Sequence, residues 1–257
     1  MKLSFQKYQG TGNDFVIVRS DDLIGSLSSA DIPQICSRKW GVGSDGLMVV
    51  SPSNSADYRL DFFNPDGSQS FCGNGARCSV DFVHRFITPK ERYQFEAIDG
   101  MHEGIWSESQ ISISMLSVHS AKEVLDGFFC HTGSPHFLKK VNHLDATNVV
   151  AEGRTIRYNE CFHPEGTNVN FLEEKDGIWH VRTYERGVED ETLSCGTGVT
   201  AAGLYLLREE PIGQYELPIQ TRGGLLSVVA QKTGDFEFNH VYLKGAVMHV
   251  FSGLWEN

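Results

Sequence analysis

The sequence predicts an α+β fold made of two related, β-rich halves. Three observations predict it. Short apolar runs of strand character outnumber helical stretches and do not alternate with them one for one, which disfavours a doubly wound parallel sheet. A Cys-Gly-x-Gly loop occurs twice, as Cys72-Gly73-Asn74-Gly75 and Cys195-Gly196-Thr197-Gly198, and each opens a helical stretch. A second pair of loops, Gly10-Thr11-Gly12-Asn13 and Gly133-Ser134-Pro135-His136, keeps the same spacing of 123 residues (10 to 133, 72 to 195). One such match between glycine-rich loops is easily accidental. Two at a common offset, with cysteine in the same place, favour duplication of a half-domain. The boundary is expected near Val118–Lys122.

The elements follow in order. The opening MKLSFQKYQGTGN has no continuous apolar core of the kind a secretory signal needs, and no run approaches membrane-span length. A cytosolic location is therefore expected. Phe15–Arg19 reads as a strand. Asp31–Lys39 reads as a helix, with Pro33 tolerable in its first turn. Gly41-Val42-Gly43-Ser44-Asp45-Gly46 spells GxGxxG, but a dinucleotide loop follows a strand and opens a helix. Here the strand-like Leu47–Val50 comes after it, so a turn into a strand is the better reading. Tyr58–Phe63 is a strand, and Asn64-Pro65-Asp66-Gly67 is a strong turn signal. Gly75–Phe86 and Gly198–Arg208 are helices by periodicity and apolar content. Ile111–Met115, Trp179–Tyr184, Leu225–Val229 and Val247–Phe251 are further strand-like runs.

Composition narrows the function. The 257 residues are 40% hydrophobic and 21% charged, which is ordinary for a globular protein and excludes disorder. A formal net charge of -11, with no basic stripe, argues against a nucleic-acid partner. The six cysteines include no CxxC pair, and no Cys/His spacing matches a zinc pattern. They are expected to be reduced thiols, with Cys36, Cys78, Cys130 and Cys161 packed or incidental.

The two Cys-Gly-x-Gly loops carry the chemistry. A helix start presents unpaired amides and the positive end of the dipole, so a cysteine there has its thiolate favoured. The glycines let an anion approach those amides closely. One such loop is a generic reactive-cysteine or anion site. Two, from related halves, suggest a pair of thiols across one bound carboxylate. That arrangement suits inversion at the carbon next to the carboxylate. One thiolate takes the proton, the opposite thiol returns one, and donors at the helix ends hold the developing charge.

Six stretches then acquire a common meaning: KYQGTGNDF at Lys7–Phe15, GVGSDG at Gly41–Gly46, FNPDGSQSFCGNGARC at Phe63–Cys78, GSPH at Gly133–His136, GTNVNF at Gly166–Phe171 and YERGVEDETLSCGTG at Tyr184–Gly198. In this order they resemble the diaminopimelate epimerase family over nearly the whole chain. The resemblance implies two pseudo-symmetric halves, each wrapped around a central helix, with residues 1–119 plus 246–257 in one and 120–245 in the other. It implies conversion of LL-diaminopimelate to the meso form, for lysine and peptidoglycan precursors, without pyridoxal phosphate, any other cofactor or a metal. Cys72 and Cys195 would be the acid–base pair. The amides of Gly73, Asn74, Gly196 and Thr197 would hold the reacting carboxylate. Glu185 would meet the amino group. Asn13 and His136 would lie beside the catalytic centre, and Asn64, Asn168 and Arg186 would bind the distal end. The partner is a small diamino-dicarboxylic acid, and relatives imply a cytoplasmic homodimer.

This chain departs from the common pattern in three places. Ser134 stands where many members have Asn, and Gly46 where some have Gln. The segment Gly187–Thr192 is longer and more acidic than usual, with Glu189–Glu191 read as a solvated run. Two other readings stay open. One is a racemase of proline or hydroxyproline, which typically carries Cys-Gly-His where this chain has Asn74. The other is a non-catalytic binder or thiol redox protein, in which two facing thiols could close a disulfide.

Overall fold

A computed structural model describes residues 2–24, 27–108, 110–116, 118 and 121–256. The chain divides into two units, Met1–Ile113 with Gly245–Asn257, and Ser114–Lys244. The boundary expected near Val118–Lys122 includes residues 119 and 120, which lie outside the described residues.

The first unit runs β1 (Lys2–Gly10), β2 (Asn13–Arg19), β3 (Leu23–Ile24), α1 (Asp31–Cys36), β4 (Gly46–Ser51), β5 (Tyr58–Phe63), α2 (Gly73–Phe86), β6 (Arg92–Ala97), β7 (Gly100–Trp106) and β8 (Ile111–Ser114). The second runs β9 (Ala121–Val124), β10 (Gly127–His131), β11 (Pro135–Lys140), α3 (Val149–Arg157), β12 (Asn168–Lys175), β13 (Ile178–Glu185), β14 (Asp190–Thr192), α4 (Gly196–Leu207), β15 (Gly213–Thr221), β16 (Gly224–Gly234) and β17 (Glu237–Gly245). The C-terminal strand β18 (Met248–Glu256) returns to the first unit, antiparallel to β1, with Lys2 opposite Glu256 and Gln9 opposite Met248.

The pairings make the internal likeness explicit. In the first unit β1–β2 is antiparallel, β2–β4 parallel, β4–β5 antiparallel, β5–β6 parallel and β6–β7 antiparallel. In the second, β10–β11, β11–β12, β12–β13, β13–β15 and β15–β16 repeat the same series. A parallel pair needs a crossover long enough to turn back. In both units the second crossover contains the helix that begins just after a Cys-Gly-x-Gly cysteine. Each of these helices is central to its unit. Helix α2 packs against β1, β2, β4, β5, β7 and β18, and α4 against β10, β11, β12, β13, β15 and β16.

The two helices become central by different means. Helix α4 is small and apolar on every side (Val199, Ala201, Ala202, Leu204 and Leu207 are all buried), as a helix enclosed by sheet must be. Helix α2 is buried from Gly73 to Val83 but carries Arg77 and Asp81 inside. Asp81 accepts from Tyr8 on β1, Trp106 on β7 and Arg85, so its charge is met. Around the helices lie apolar clusters: Leu3, Phe5, Val16, Val18, Ile32, Ile35 and Leu47 in one unit, Phe137, Val149, Val169, Phe171 and Tyr184 in the other.

Beyond strands the sequence reading did not name, such as β1, β6 and β10, three local features differ from it. Helix α1 stops at Cys36 instead of running to Lys39. Ser37 turns extended, and the amides of Gly41, Val42 and Gly43 take the carbonyls of Ser37 and Ile35 that a longer helix would use. Helix α3 was not foreseen; its signal is Asn148, whose Oδ1 accepts from Ala151 N at 3.1 Å as an N-cap. The acidic Glu189–Glu191 segment is not a solvated loop. Glu189 accepts from Arg157, Tyr158 and Tyr184, and Glu191 holds Arg182 with both oxygens at 2.7 Å. These charges fasten the stretch that leads to Cys195.

Candidate active site

In the first unit the site begins at a two-residue hairpin. Gly10 pairs with Asn13, leaving Thr11 and Gly12 as the turn with φ of 51° and 82°. Two positive φ values give the turn whose twist matches a hairpin, and glycine at the second place accepts this without steric cost. The turn delivers Asn13 to the start of β2. Its Nδ2 donates to Asp45 Oδ2 at 2.8 Å, and Asp45 is held by Arg38 at 2.6 Å. Since Nδ2 is committed there, Oδ1 faces the other way. It lies 3.7 Å from Cys72 Sγ and 3.4 Å from Asn74 Nδ2.

Cys72 is the N-cap of α2, with extended backbone (φ −125°, ψ 109°). Its sulfur accepts from Gly75 N at 3.5 Å, as a capping side chain does. Gly73 and Asn74 are the first helical residues, so their amides have no carbonyl one turn back. Asn64 lies in the turn after β5, where Nδ2 donates to Ser68 Oγ at 3.0 Å and Ser70 Oγ at 3.3 Å. These bonds belong to that turn and not to the Cys72 cluster.

In the second unit Cys195 is the N-cap of α4 with nearly the same backbone (φ −114°, ψ 111°). It is 7% exposed, and its Sγ lies 3.5 Å from Thr197 Oγ1. From Thr197 a network runs inward. His136 Nε2 is 2.9 Å from Thr197 Oγ1 and 2.9 Å from Ser134 Oγ. His136 Nδ1 is 3.2 Å from Asn170 Nδ2, and Asn170 Oδ1 accepts from Thr183 at 2.9 Å. Asn170 Nδ2 also donates to Phe137 O at 3.0 Å, so its amide can face only one way.

That orientation fixes the histidine. An amide NH2 can only donate, so Nδ1 accepts and the proton sits on Nε2. His136 is fully buried, and burial pushes its pKa down to about 3, helped by the charges of His131 and Arg186. The imidazole is therefore neutral near pH 7 and donates to the Ser134 or Thr197 hydroxyl. When Thr197 accepts from His136, its own proton is directed away from the ring and is available to Cys195 Sγ.

Asn168 and Arg186 join this network from the strand ends. Asn168 Nδ2 donates to Pro135 O at 2.9 Å and Ser134 Oγ at 3.3 Å, while its Oδ1 accepts from Arg186 N at 2.8 Å. Arg186 Nη1 donates to Glu165 O at 3.2 Å. Glu185, the last residue of β13, accepts from Thr192 Oγ1 at 2.9 Å. Gly198 is required by a close approach: a Cβ there would lie 2.5 Å from Asn170 Oδ1.

Within each unit, then, most sequence-nominated residues converge. Asn13, Cys72 and Asn74 form one cluster; Ser134, His136, Asn168, Arg186, Cys195 and Thr197 form the other. The residues that hold them, Asp45, Thr132, Asn170 and Thr183, were missed. Thr132 Oγ1 donates to Thr197 O at 2.8 Å. A signal existed for Asn170, which lies two residues after Asn168 and so on the same face of β12. Cys78 and Cys130 are buried thiols pushed well above the ordinary range by burial, which suits packing and not reaction. Among the described residues no group of three or more His, Cys, Asp or Glu could hold a metal ion.

The family model described as diaminopimelate epimerase matches residues 5–116 and 128–250. The diaminopimelate epimerase of Flavobacterium psychrophilum is 36% identical over 253 residues, covering 97% of this chain and 98% of its own length. That of Chlorobaculum tepidum is 36% identical over 255 residues, covering 95% and 98%. Among solved structures, a phenazine biosynthesis protein of the PhzF family from Bacillus anthracis aligns with a TM-score of 0.80 at 16% identity, covering all of both chains. A hydroxyproline epimerase from Agrobacterium vitis aligns with a TM-score of 0.72 at 15% identity, over 98% of this chain and 92% of that one. At these identities the structural matches speak for the α+β fold alone.

Proposed function

The chain belongs to the diaminopimelate epimerase family and is an isomerase, and from that premise we propose that it inverts one α-carbon of LL-diaminopimelate by proton exchange at Cys72 and Cys195. One observation carries the mechanism: each unit ends a loop in a cysteine at the N-cap position of a central helix, with matching backbone angles. Inversion needs a proton removed from one face of the carbon and another delivered to the opposite face. The reading assigns one of these acts to each cysteine, with the roles exchanged for the reverse reaction.

The substrate's reacting carboxylate is held by the amides of Gly73, Asn74, Gly196 and Thr197. As the α-proton leaves, negative charge spreads into that carboxylate, where the helix starts oppose it. Glu185 takes the reacting amino group. Asn64, Asn168 and Arg186 bind the distal end, for which a guanidinium offers a paired hold on a carboxylate. Asn13 presents Oδ1 to Cys72 and steadies its thiol form. His136 acts through the Thr197 hydroxyl on Cys195, because a neutral, enclosed imidazole is suited to orienting and not to titrating. An α-proton is far less acidic than a thiol, and each unit of mismatch costs about 1.36 kcal/mol. Fixed donors such as these reduce that cost without reorganising.

The same reading makes the enzyme independent of pyridoxal phosphate and metal, cytoplasmic and homodimeric. Thiol chemistry of this kind calls for a reducing compartment, and all six cysteines are thiols. No helix among the described residues is long and apolar enough to cross a membrane. The exposed apolar side chains Met248, Val250, Phe251 and Leu254 on β18 support a self-associating surface. Sedimentation at micromolar concentration tests it, and a monomer there refutes that part.

The decisive experiment uses purified enzyme in deuterium oxide, with chelator and without pyridoxal phosphate. Deuterium is expected at the α-position of the product. C72A and C195A are each expected to abolish epimerisation, a loss of at least about a thousandfold when an acid–base group is removed. Turnover of diaminopimelate by the double variant would refute the mechanism. Preference for proline or hydroxyproline in a substrate panel would refute the substrate.

A further inference from the structure

Arg77 is fully buried in the interior of the first unit, the largest side chain so enclosed among the described residues. A buried guanidinium normally faces a carboxylate, because an uncompensated charge in the interior is very costly. The ionisable groups that act on Arg77 are the Cys78 and Cys72 thiols, and among the described residues no carboxylate pairs with it. Its Nε, also buried, has no hydrogen-bond partner. Burial brings the group down to about 10, so it remains a cation at neutral pH.

Its other nitrogens are spent on neutral groups of the two loops that build the site. Nη1 donates to Asn74 Oδ1 at 3.1 Å, and Nη2 donates to Thr11 Oγ1 at 3.4 Å. Thr11 is a β-branched residue at φ 51°, a backbone region such residues rarely adopt and that persists only when surroundings impose it. Asn74 in turn donates to the Asn13 oxygen that faces Cys72 Sγ. The cation thus lies behind the first turn of α2, joined to both loops and paired with neither.

We propose that Arg77 is a positioning residue for the reaction at Cys72, its buried charge favouring the thiolate at the start of α2 while its two hydrogen bonds fix Thr11 and Asn74. This rests on the epimerase reading for its purpose, but not for its physical effect. The Asn13 oxygen stabilises the thiol form of Cys72; Arg77 and the Gly75 amide oppose it. A group that must both take and give a proton needs such a balance.

Other titratable groups around α2 are already committed, His102 of β7 to Asp99 and the Phe71 ring among them. Cys78 is pushed well up by burial and stays neutral. Asp81 is held by Tyr8 of β1, Trp106 of β7 and Arg85. Asp14 of β2 is tied to Lys7 and Arg38, and Asp45, before β4, to Arg38. Tyr58 of β5 meets Ser79, His84 stacks on Trp106, and His249 of β18 meets Gln6 and lies against Tyr8.

The test is the pH dependence of Cys72 alkylation by iodoacetamide in the full-length protein, read by peptide mass spectrometry with Cys195 as internal reference. In the wild type, the Cys72 midpoint is expected below the ordinary thiol value of about 8.5. In R77M it is expected to rise by about one unit or more, the usual effect of losing a close opposite charge, while R77K stays near wild type. Cys195 should not move. The acid limb of kcat/KM on diaminopimelate should rise with the Cys72 midpoint, with kcat falling more than KM changes. A wild-type midpoint at or above about 8.5 overturns the proposal, and needs no variant to fold. An unmoved Cys72 in folded R77M, or an R77K as displaced as R77M, also overturns it. If the Cys72 midpoint shifts as expected but the wild type places no deuterium in diaminopimelate, the functional reading fails and the role of Arg77 stands.

Discussion

At the scale of single residues, direction of hydrogen bonding decides more than proximity. Asn13 and Asn170 are both amides beside a reactive group, and each has its far end committed: Asn13 to Asp45, Asn170 to Thr183. The first therefore shows an acceptor to a cysteine and the second a donor to a histidine. The consequence for His136 is measurable. Its folded pKa, about 3, lies below the ordinary 6.5. Between those values the unfolded chain binds a proton that the folded chain refuses, so stability is intact above about pH 6.5 and is lost as pH falls. H136Q should flatten the decline of the thermal midpoint between about pH 6.5 and 5, above the range where carboxylates titrate. A variant as acid-sensitive as the wild type would show that His136 is not the neutral buried group described.

At the scale of elements, the helix start is the working part, and its precision depends on what it packs against. Cys195 and Thr197 are placed by the first turn of α4, and that turn approaches β12 where Gly198 meets Asn170. A methyl group at Gly198 has no room, since the near atom belongs to an amide already held on both sides. G198A should cost about 1–3 kcal/mol of stability, the usual range for overpacking. It should also lower kcat at least tenfold, because Asn170 cannot shift without releasing His136. Unchanged turnover with a lowered midpoint would separate packing from function. The acidic segment before Cys195 was misjudged at this scale. A run of Glu and Asp is a solvated feature only if no cations face it, and Arg157, Arg182 and Arg222 do.

At the scale of the whole molecule, duplication explains the order of parts. The same five pairings recur in each unit, each with a helix in its second crossover, so one supersecondary plan serves twice. The C-terminal strand departs from that plan in chain order only, since β9 takes the matching place beside β10. Strand β18 pairs with β1 from Lys2 to Gln9, and β1 also pairs with β2, which carries Asn13. Deleting residues 247–257 should expose the edge of β1 and abolish cooperative unfolding of the protein, observable as loss of the calorimetric transition. A truncated chain that melts with the wild-type enthalpy would show β18 to be dispensable.

The sequence by itself determined the features that depend on near neighbours. The repeated Cys-Gly-x-Gly marks both helix starts, because capping and close approach are settled within four residues. The turn at Asn64–Gly67 is local in the same way, and the α+β class follows from strands that outnumber helices. Only the tertiary structure decided which polar groups are enclosed and which way they point. Nothing in the letters around Arg77 says that it lies inside without a carboxylate, or that Asn170 sets the proton of His136. Those outcomes come from residues far apart in sequence meeting where water is excluded, and there the balance between desolvation and available partners fixes charge and tautomer.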